Sequence, residues 1–196
     1  AYNRRGDSYY RLGDYNKSVV DSSAAIRLNP KDANSYYDRG FSLYSLGDYI
    51  GAITDYNQAI KLDAKNSEFY YARGLARSKI KDRQRAFEDM NKAIALNPEL
   101  VVAYVERAKM FRKQGNKLDA GKNFDQAVAL QPENAELYYE RGLNYYELNQ
   151  KQAAKKDFTK AIEIDAKYIK AYLARGDVYS DLADPEKAYN DYSQAL

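Results

Sequence analysis

Cysteine and histidine are both absent from this 196-residue chain. Their absence removes thiol nucleophiles, imidazole general bases and the commonest zinc, copper and haem ligands together. It carries no information about redox compartment. Proline and glycine are scarce, at 4 and 10 residues, which argues against disorder and against a loop-rich disulfide scaffold. An excess of one charge is also lacking: 31 Lys and Arg against 28 Asp and Glu leave a formal +3. Whole-protein electrostatics therefore nominate neither nucleic acid nor a membrane as partner. No run approaches 18 apolar residues, and the segment Ala1 to Val20 has no apolar h-region behind a basic start. Neither a spanning helix nor a signal peptide is expected. The chain begins without Met, so it is expected to be an excised piece of a longer protein whose targeting signals lie elsewhere.

What is present is 45% hydrophobic residues, enough to bury a core, and 21 Tyr spread along the whole length. These residues recur with a period. Arg-Gly occurs at Arg5-Gly6, Arg39-Gly40, Arg73-Gly74, Arg141-Gly142 and Arg175-Gly176, with Arg107-Ala108 filling the gap, so the spacing is 34 throughout. A tyrosine precedes each Arg by three: Tyr2, Tyr36, Tyr70, Tyr104, Tyr138 and Tyr172. Twelve residues after the Gly or Ala come Ala52, Ala86, Ala120, Ala154 and Ala188, with Ser18 in the first copy. Ala25, Ala59, Ala93, Ala127, Ala161 and Ala195 follow seven further on.

Local chemistry reads this unit as two helices. Asn29-Pro30, Asp63-Ala64, Asn97-Pro98, Gln131-Pro132 and Asp165-Ala166 separate the copies and stop one helix before the next. Leu12-Gly13-Asp14 and Leu46-Gly47-Asp48 supply the turn within a copy, because glycine tolerates positive φ at a helix C-terminus. In the second copy helix A is expected at about Ala33 to Leu46 and helix B at about Tyr49 to Leu62. Tyr36, Gly40 and Leu43 would share one face of the first, and Ala52, Tyr56, Ala59 and Ile60 one face of the second. Small Gly40 and Ala52 would let the helices approach while Tyr56 fills the space beside them. One hairpin cannot bury its faces alone, so neighbours must stack.

The pattern resembles the tetratricopeptide repeat (TPR) over the whole chain. Two departures stand out: Tyr replaces the usual Trp, and Arg replaces the usual Leu before the small residue. The resemblance implies an all-α, right-handed superhelical solenoid of antiparallel helix pairs, a single array with repeats at about 1–32, 33–66, 67–100, 101–134, 135–168 and 169–196. The first and last repeats are expected to be truncated. Sixteen residues after each repeated Arg stands Asp21, Asp55, Asp89, Asp157 or Asp191, with Asn123 in the fourth copy. A partly buried Arg needs a partner, so each is expected to pair with an Asp of its own or an adjacent hairpin.

In the TPR family the concave surface is lined mainly by helix A. The resemblance places there Tyr37, Phe41 and Tyr44; Tyr71, Leu75 and Lys79; Val105, Lys109, Arg112 and Lys113; and Tyr139, Leu143 and Tyr146, with Asp177 and Asp181 in the last copy. Such a lining suits a partner peptide or helix whose apolar or aromatic side chains meet the rings while an acidic group meets Lys109, Arg112 and Lys113. Phe41 is the most distinctive, a bulky apolar residue where the general pattern asks for none. The Lys and Asn clamp of the chaperone-tail-binding subclass is missing, since Tyr37 and Phe41, Tyr71 and Leu75, and Tyr139 and Leu143 occupy its early positions.

Arg77, Lys79, Lys81, Arg83 and Arg85 form a basic stretch interrupted by Asp82. Arg77, Lys81, Arg83 and Arg85 are the candidates for an anion-binding alternative, set against the simpler reading as a solvated turn. Nucleic acid is otherwise disfavoured, because nothing resembles a named binding motif. No Gly-rich phosphate loop, serine nucleophile elbow or metal-ligand cluster appears, so no enzyme activity and no cofactor are expected. The chain is expected to be a protein-interaction scaffold. The alternative is a module that self-associates into a homo-oligomer through uncapped terminal repeats. Compartment is not written in the sequence, and a soluble cytoplasmic protein is the default expectation.

Overall fold

A computed structural model describes residues 1–196. The protein is all-α and divides into two compact units, residues 1–100 and 101–196.

The first unit contains α1 (Tyr2–Arg11), α2 (Tyr15–Leu28), α3 (Ala33–Ser45), α4 (Tyr49–Leu62), α5 (Ser67–Lys79) and α6 (Arg83–Leu96). The helices of the second copy fall within one residue of the expected bounds. Each odd-numbered helix packs against the even-numbered one that follows it, and α3 also lies against α1, α2 and α5. Starts are written in the caps: the side chains of Asp14, Asp48 and Asn66 accept hydrogen bonds from the backbone N–H groups of Lys17, Gly51 and Glu68. Ends are written in the turns. Gly13 and Gly47 take φ of 78° and 85°, as the Leu-Gly-Asp turns require. At the third turn Lys81 adopts φ 63° without glycine's freedom, at a cost of about 1 kcal/mol.

The core of this unit is built from small residues and a few large ones, Tyr56 in the second hairpin and Phe69 and Met90 in the third. Ala52, Tyr56, Ala72 and Ala76 are buried together, with Tyr37, Leu43, Tyr44 and Ile53 packed against them. A methyl group on Gly40 would lie 2.8 Å from Tyr56 Cε1 and 3.3 Å from the carbonyl oxygen of Ala52. The small residue thus admits the neighbouring ring, as the period implied.

The second unit contains α7 (Val101–Lys113), α8 (Lys117–Leu130), α9 (Ala135–Glu147), α10 (Lys151–Ile164), α11 (Ile169–Asp181) and α12 (Pro185–Gln194). Phe124 and Phe158 take the place that Tyr56 holds in the first unit. Ala108, Ala120 and Phe124 form one buried cluster, and Ala154, Phe158 and Val178 another. Asn149 and Ala183 occupy turn positions at φ 59° each, where Gly115 has 79°.

Candidate functional site

The repeated arginine is the first charged feature to resolve. Arg39 donates from Nε and Nη2 to the two carboxylate oxygens of Asp55, both at 2.7 Å. Arg5 and Asp21, Arg141 and Asp157, and Arg175 and Asp191 repeat this fork. In the third copy Arg73 Nη2 donates to Asp89 at 2.6 Å. The aspartates are buried to within a few per cent of full burial, so the pairing meets a real desolvation cost. In the fourth copy Arg107 donates to Asn123 Oδ1 at 2.8 Å.

A second function of this arginine was not visible in the period. Its remaining nitrogen reaches backward to helix B of the preceding hairpin: Arg39 Nη1 to Ser23, Arg73 Nη1 to Asn57, Arg141 Nη1 to Asp125 and Arg175 Nη1 to Thr159. One guanidinium therefore ties residues 16 before and 16 after it. Tyr36, Tyr70, Tyr138 and Tyr172 each lie under the guanidinium three residues on, at 5.4–5.8 Å. These arginines are internal staples, which leaves the opposite face of each helix A for other work.

In the first unit that face carries Tyr37, Phe41 and Tyr44 on α3 and Tyr71, Leu75 and Lys79 on α5. Tyr37 is half-buried, its ring 5.2 Å from Phe69 and 5.9 Å from both Phe41 and Tyr56. Burial pushes its hydroxyl up to about 12. Phe41 keeps 37% of its surface exposed on top of this stack. Tyr44 packs edge-on to Tyr49, ring centres 5.2 Å apart. Tyr71 and Leu75 are half-buried and Lys79 is exposed.

Tyr37 and Phe41 are brought together with residues that the period did not single out. Between α1 and α3 lies a concavity of about 300 Å³ lined by Asp7, Tyr10, Arg11, Ser18, Tyr37, Asp38 and Phe41. Tyr10 stands 5.0 Å from Phe41 and is held by a 3.1 Å hydrogen bond between its hydroxyl and that of Ser45. Ser18 and Ser42 are hydrogen-bonded at 2.8 Å beneath. Asp38 is half-buried, and burial together with repulsion from Asp32 and Asp7 pushes its carboxyl up to about 6. Its signal in the sequence was faint: acidic residues recur at the same repeat position as Glu106 and Glu140.

In the second unit Val105 packs into the α7 and α8 core. Tyr139, Leu143 and Tyr146 cover the Phe158 cluster, and the Tyr146 hydroxyl donates to Asp181 at 2.8 Å. The basic zone is internally balanced. Arg112 Nη2 lies 3.0 Å from Glu140, and Lys109 Nζ lies 3.5 Å from Glu106 and 3.8 Å from Glu140. Glu147 adds a second carboxylate 3.8 Å from Arg112. Lys113 is exposed at the helix end. An acidic ligand would therefore compete with Glu140 and Glu147, a point the composition of the helix-A positions alone did not convey.

The basic stretch after Arg77 is divided in the same way. Arg77 is largely buried, shares Asp89 with Arg73 through a 2.8 Å contact, and has its guanidinium pKa pulled down chiefly by burial. Arg85 pairs with Asp82 at 2.6 Å. Lys81 and Arg83 are exposed. The four cations do not converge on one anion position, since two of them point into partners of the fold.

Family models described as TPR repeat match residues 6–47 and 42–80, and tetratricopeptide repeat models match 67–100, 135–168 and 169–196. The chain belongs to the tetratricopeptide-repeat family. Among solved structures it is similar to MamA, at 25% identity and a TM-score of 0.74 over 84% of this chain and 96% of that one. It is similar also to YrrB, at 22% identity and 0.72 over 89% and 90%. PilF of Pseudomonas aeruginosa superposes with a TM-score of 0.86 at 15% identity, over 97% of this chain and 86% of that one. No functionally curated sequence matches the chain at significance. Family and neighbours together support a protein-interaction scaffold. No helix is long and apolar enough to cross a membrane.

Proposed function

We propose that this chain is a non-enzymatic scaffold that binds a segment of a partner protein along the helix-A faces of its repeats. The observation that carries the proposal is the Tyr10, Tyr37 and Phe41 surface. Three rings, packed on one another and on the core, wall a concavity while Phe41 stays exposed. Rigid, half-exposed aromatics lose little conformational entropy on binding and supply large apolar contact area, which is why they anchor interfaces. The repeated arginines are engaged in stapling one hairpin to the next, so the helix-A face is not needed for that task. YrrB, whose likeness at 22% identity concerns the fold, is a TPR protein with an unusual peptide-binding site.

The test is a quantitative pull-down comparing the wild type with Phe41→Ala and with the pair Lys109→Glu and Arg112→Glu. Loss of a defined subset of partners in either variant, with helix content unchanged, is the expected result. Identical partner profiles for all three proteins would discard the helix-A face as the binding surface.

A further inference from the structure

We propose that the concavity between α1 and α3 is a subsite for a cationic side chain, the Arg or Lys of a bound partner segment, with Asp38 as counter-ion and Tyr10, Tyr37 and Phe41 as walls. The proposal rests on the helix-A face being a partner-binding surface, and it gives that surface a chemical preference.

The chain itself contains the filled version of this arrangement. Residues 38, 106 and 140 occupy the same position in their repeats, and all three are acidic. Glu106 is answered by Lys109 at 3.5 Å. Glu140 is answered by Arg112 at 3.0 Å and by Lys109 at 3.8 Å. The Arg112 guanidinium also lies 5.7 Å from the Phe124 ring, so the cation is held by a carboxylate and an aromatic face together.

Around Asp38 the same repeat positions carry no cation. The counterpart of Lys109 in the same repeat as Asp38 is Phe41, and the counterparts of Lys109 and Arg112 in the preceding repeat are Asp7 and Tyr10. The Asp38 carboxylate accepts no hydrogen bond, and the charges acting on it are the repelling carboxylates Asp32 and Asp7. Arg11 lies at the rim and is engaged with Asp7 at 3.0 Å while remaining largely exposed. A half-buried carboxylate without a partner is costly to keep. Here it faces a space at the small end of ligand-pocket sizes, bounded by three rings whose faces attract cations. An incoming guanidinium or ammonium would restore at Asp38 the neutralisation that Arg112 and Lys109 provide at Glu140.

The experiment titrates the isotope-labelled full chain with Nα-acetyl-arginine methylamide and Nα-acetyl-lysine methylamide, with the neutral citrulline and acidic glutamate analogues as controls. Amide shifts are followed by NMR. The expected result is saturable movement of the Tyr10, Asp38 and Phe41 amides with the cationic probes only. Binding should weaken about tenfold or more in Asp38→Asn, the loss of one charge-assisted contact. It should strengthen in Arg11→Gln, which removes the competing cation at the rim, and stay unchanged in Lys122→Glu, an exposed residue of α8. Equal binding of the citrulline probe, no saturable shift with either cation, or undiminished affinity in Asp38→Asn would overturn the proposal.

A peptide-display selection on the same protein separates this inference from the broader one. Peptides that bind through Phe41 but tolerate loss of every basic residue would sink the cationic subsite and leave the scaffold reading standing. Cation binding at Asp38 with partner capture indifferent to Phe41→Ala, Lys109→Glu and Arg112→Glu would do the reverse.

Discussion

Arg39 and Asp55 meet through two parallel hydrogen bonds of 2.7 Å, Nε to Oδ2 and Nη2 to Oδ1, inside a single helical hairpin. The same arginine extends Nη1 to Ser23 of the hairpin before, 3.2 Å away. A planar guanidinium with a fixed fork can serve both partners at once, which an ammonium on a flexible stem cannot do in this geometry. The unusual arginine of these repeats therefore joins helix to helix and hairpin to hairpin.

Removing Arg39 alone should be worse than removing the pair. Arg39→Leu leaves Asp55, with only 5% of its side chain accessible, as an uncompensated buried charge. We expect a loss of about 3 kcal/mol, most of it recovered in the double variant Arg39→Leu with Asp55→Leu. Urea denaturation of four proteins, the wild type, Arg39→Leu, Asp55→Leu and the double variant, with amide exchange on α3 and α4, measures the cycle. Additive single losses would show that the two side chains do not act as a unit.

The fourth copy offers the opposite experiment. Arg107 donates to a neutral amide, Asn123, whose own Nδ2 donates to the carbonyl oxygen of Asp119 at 2.7 Å. Burial holds the Arg107 guanidinium below its usual pKa. Asn123→Asp gains a charge-assisted fork and loses one neutral hydrogen bond. The balance favours the carboxylate, by about 1 kcal/mol. A urea midpoint at or below the wild type would place the Asp119 carbonyl contact ahead of the ion pair.

Ala183 sits at φ 59° in the last turn, where an L-residue with a Cβ is strained. Ala183→Gly should stabilise by about 1 kcal/mol, the relief of strain less the added freedom of the unfolded chain. Gly47→Ala is the matching control. Its added methyl would meet no atom within 4 Å, so any loss reports backbone conformation alone. A thermal midpoint that falls in Ala183→Gly, or holds in Gly47→Ala, would contradict this account.

Asp38 should make stability depend on pH in an unusual direction. Its folded-state pKa, about 6, lies above the ordinary value of 3.8, so the folded protein binds this proton more tightly than the unfolded chain. The penalty is fully present above about pH 6 and fades as the pH falls toward the unfolded value. Partial exposure reduces it to about 1–2 kcal/mol. Asp38→Asn should therefore stabilise the protein near pH 7.5 and make little difference near pH 4, read from paired denaturation curves. A variant less stable than the wild type at pH 7.5 would mean that Asp38 serves the fold. The expected gain is the one that a residue kept at a cost to the fold would show.

The helices and their pairing were legible in the sequence because they rest on short-range, repeated chemistry. Capping Asp and Asn, Leu-Gly-Asp turns and a 34-residue recurrence of Tyr, Arg, Gly and Ala act within one hairpin or between neighbours, and each copy confirms the others. The Arg and Asp pairing was legible for the same reason, being a constant offset of 16 between residues of opposite charge. Lys81 and Ala183 were harder to read, because a turn can impose positive φ on residues that do not announce it.

Tertiary structure decided what the helix-A residues do. Composition made Lys109, Arg112 and Lys113 a basic zone. Packing of α7 beside α9 set Glu140 against two of those cations, because side chains 28 to 31 residues apart meet only once the hairpins stack. Stacking of α1 beside α3 conversely left Asp38 among Asp7, Tyr10 and Phe41 with no cation paired to it, Arg11 at the rim being engaged with Asp7. A period tells which residues are equivalent, whereas the neighbours that neutralise a charge or leave it bare are fixed only when adjacent repeats come together. On that distinction one acidic position became a structural staple at Glu140 and an open site at Asp38.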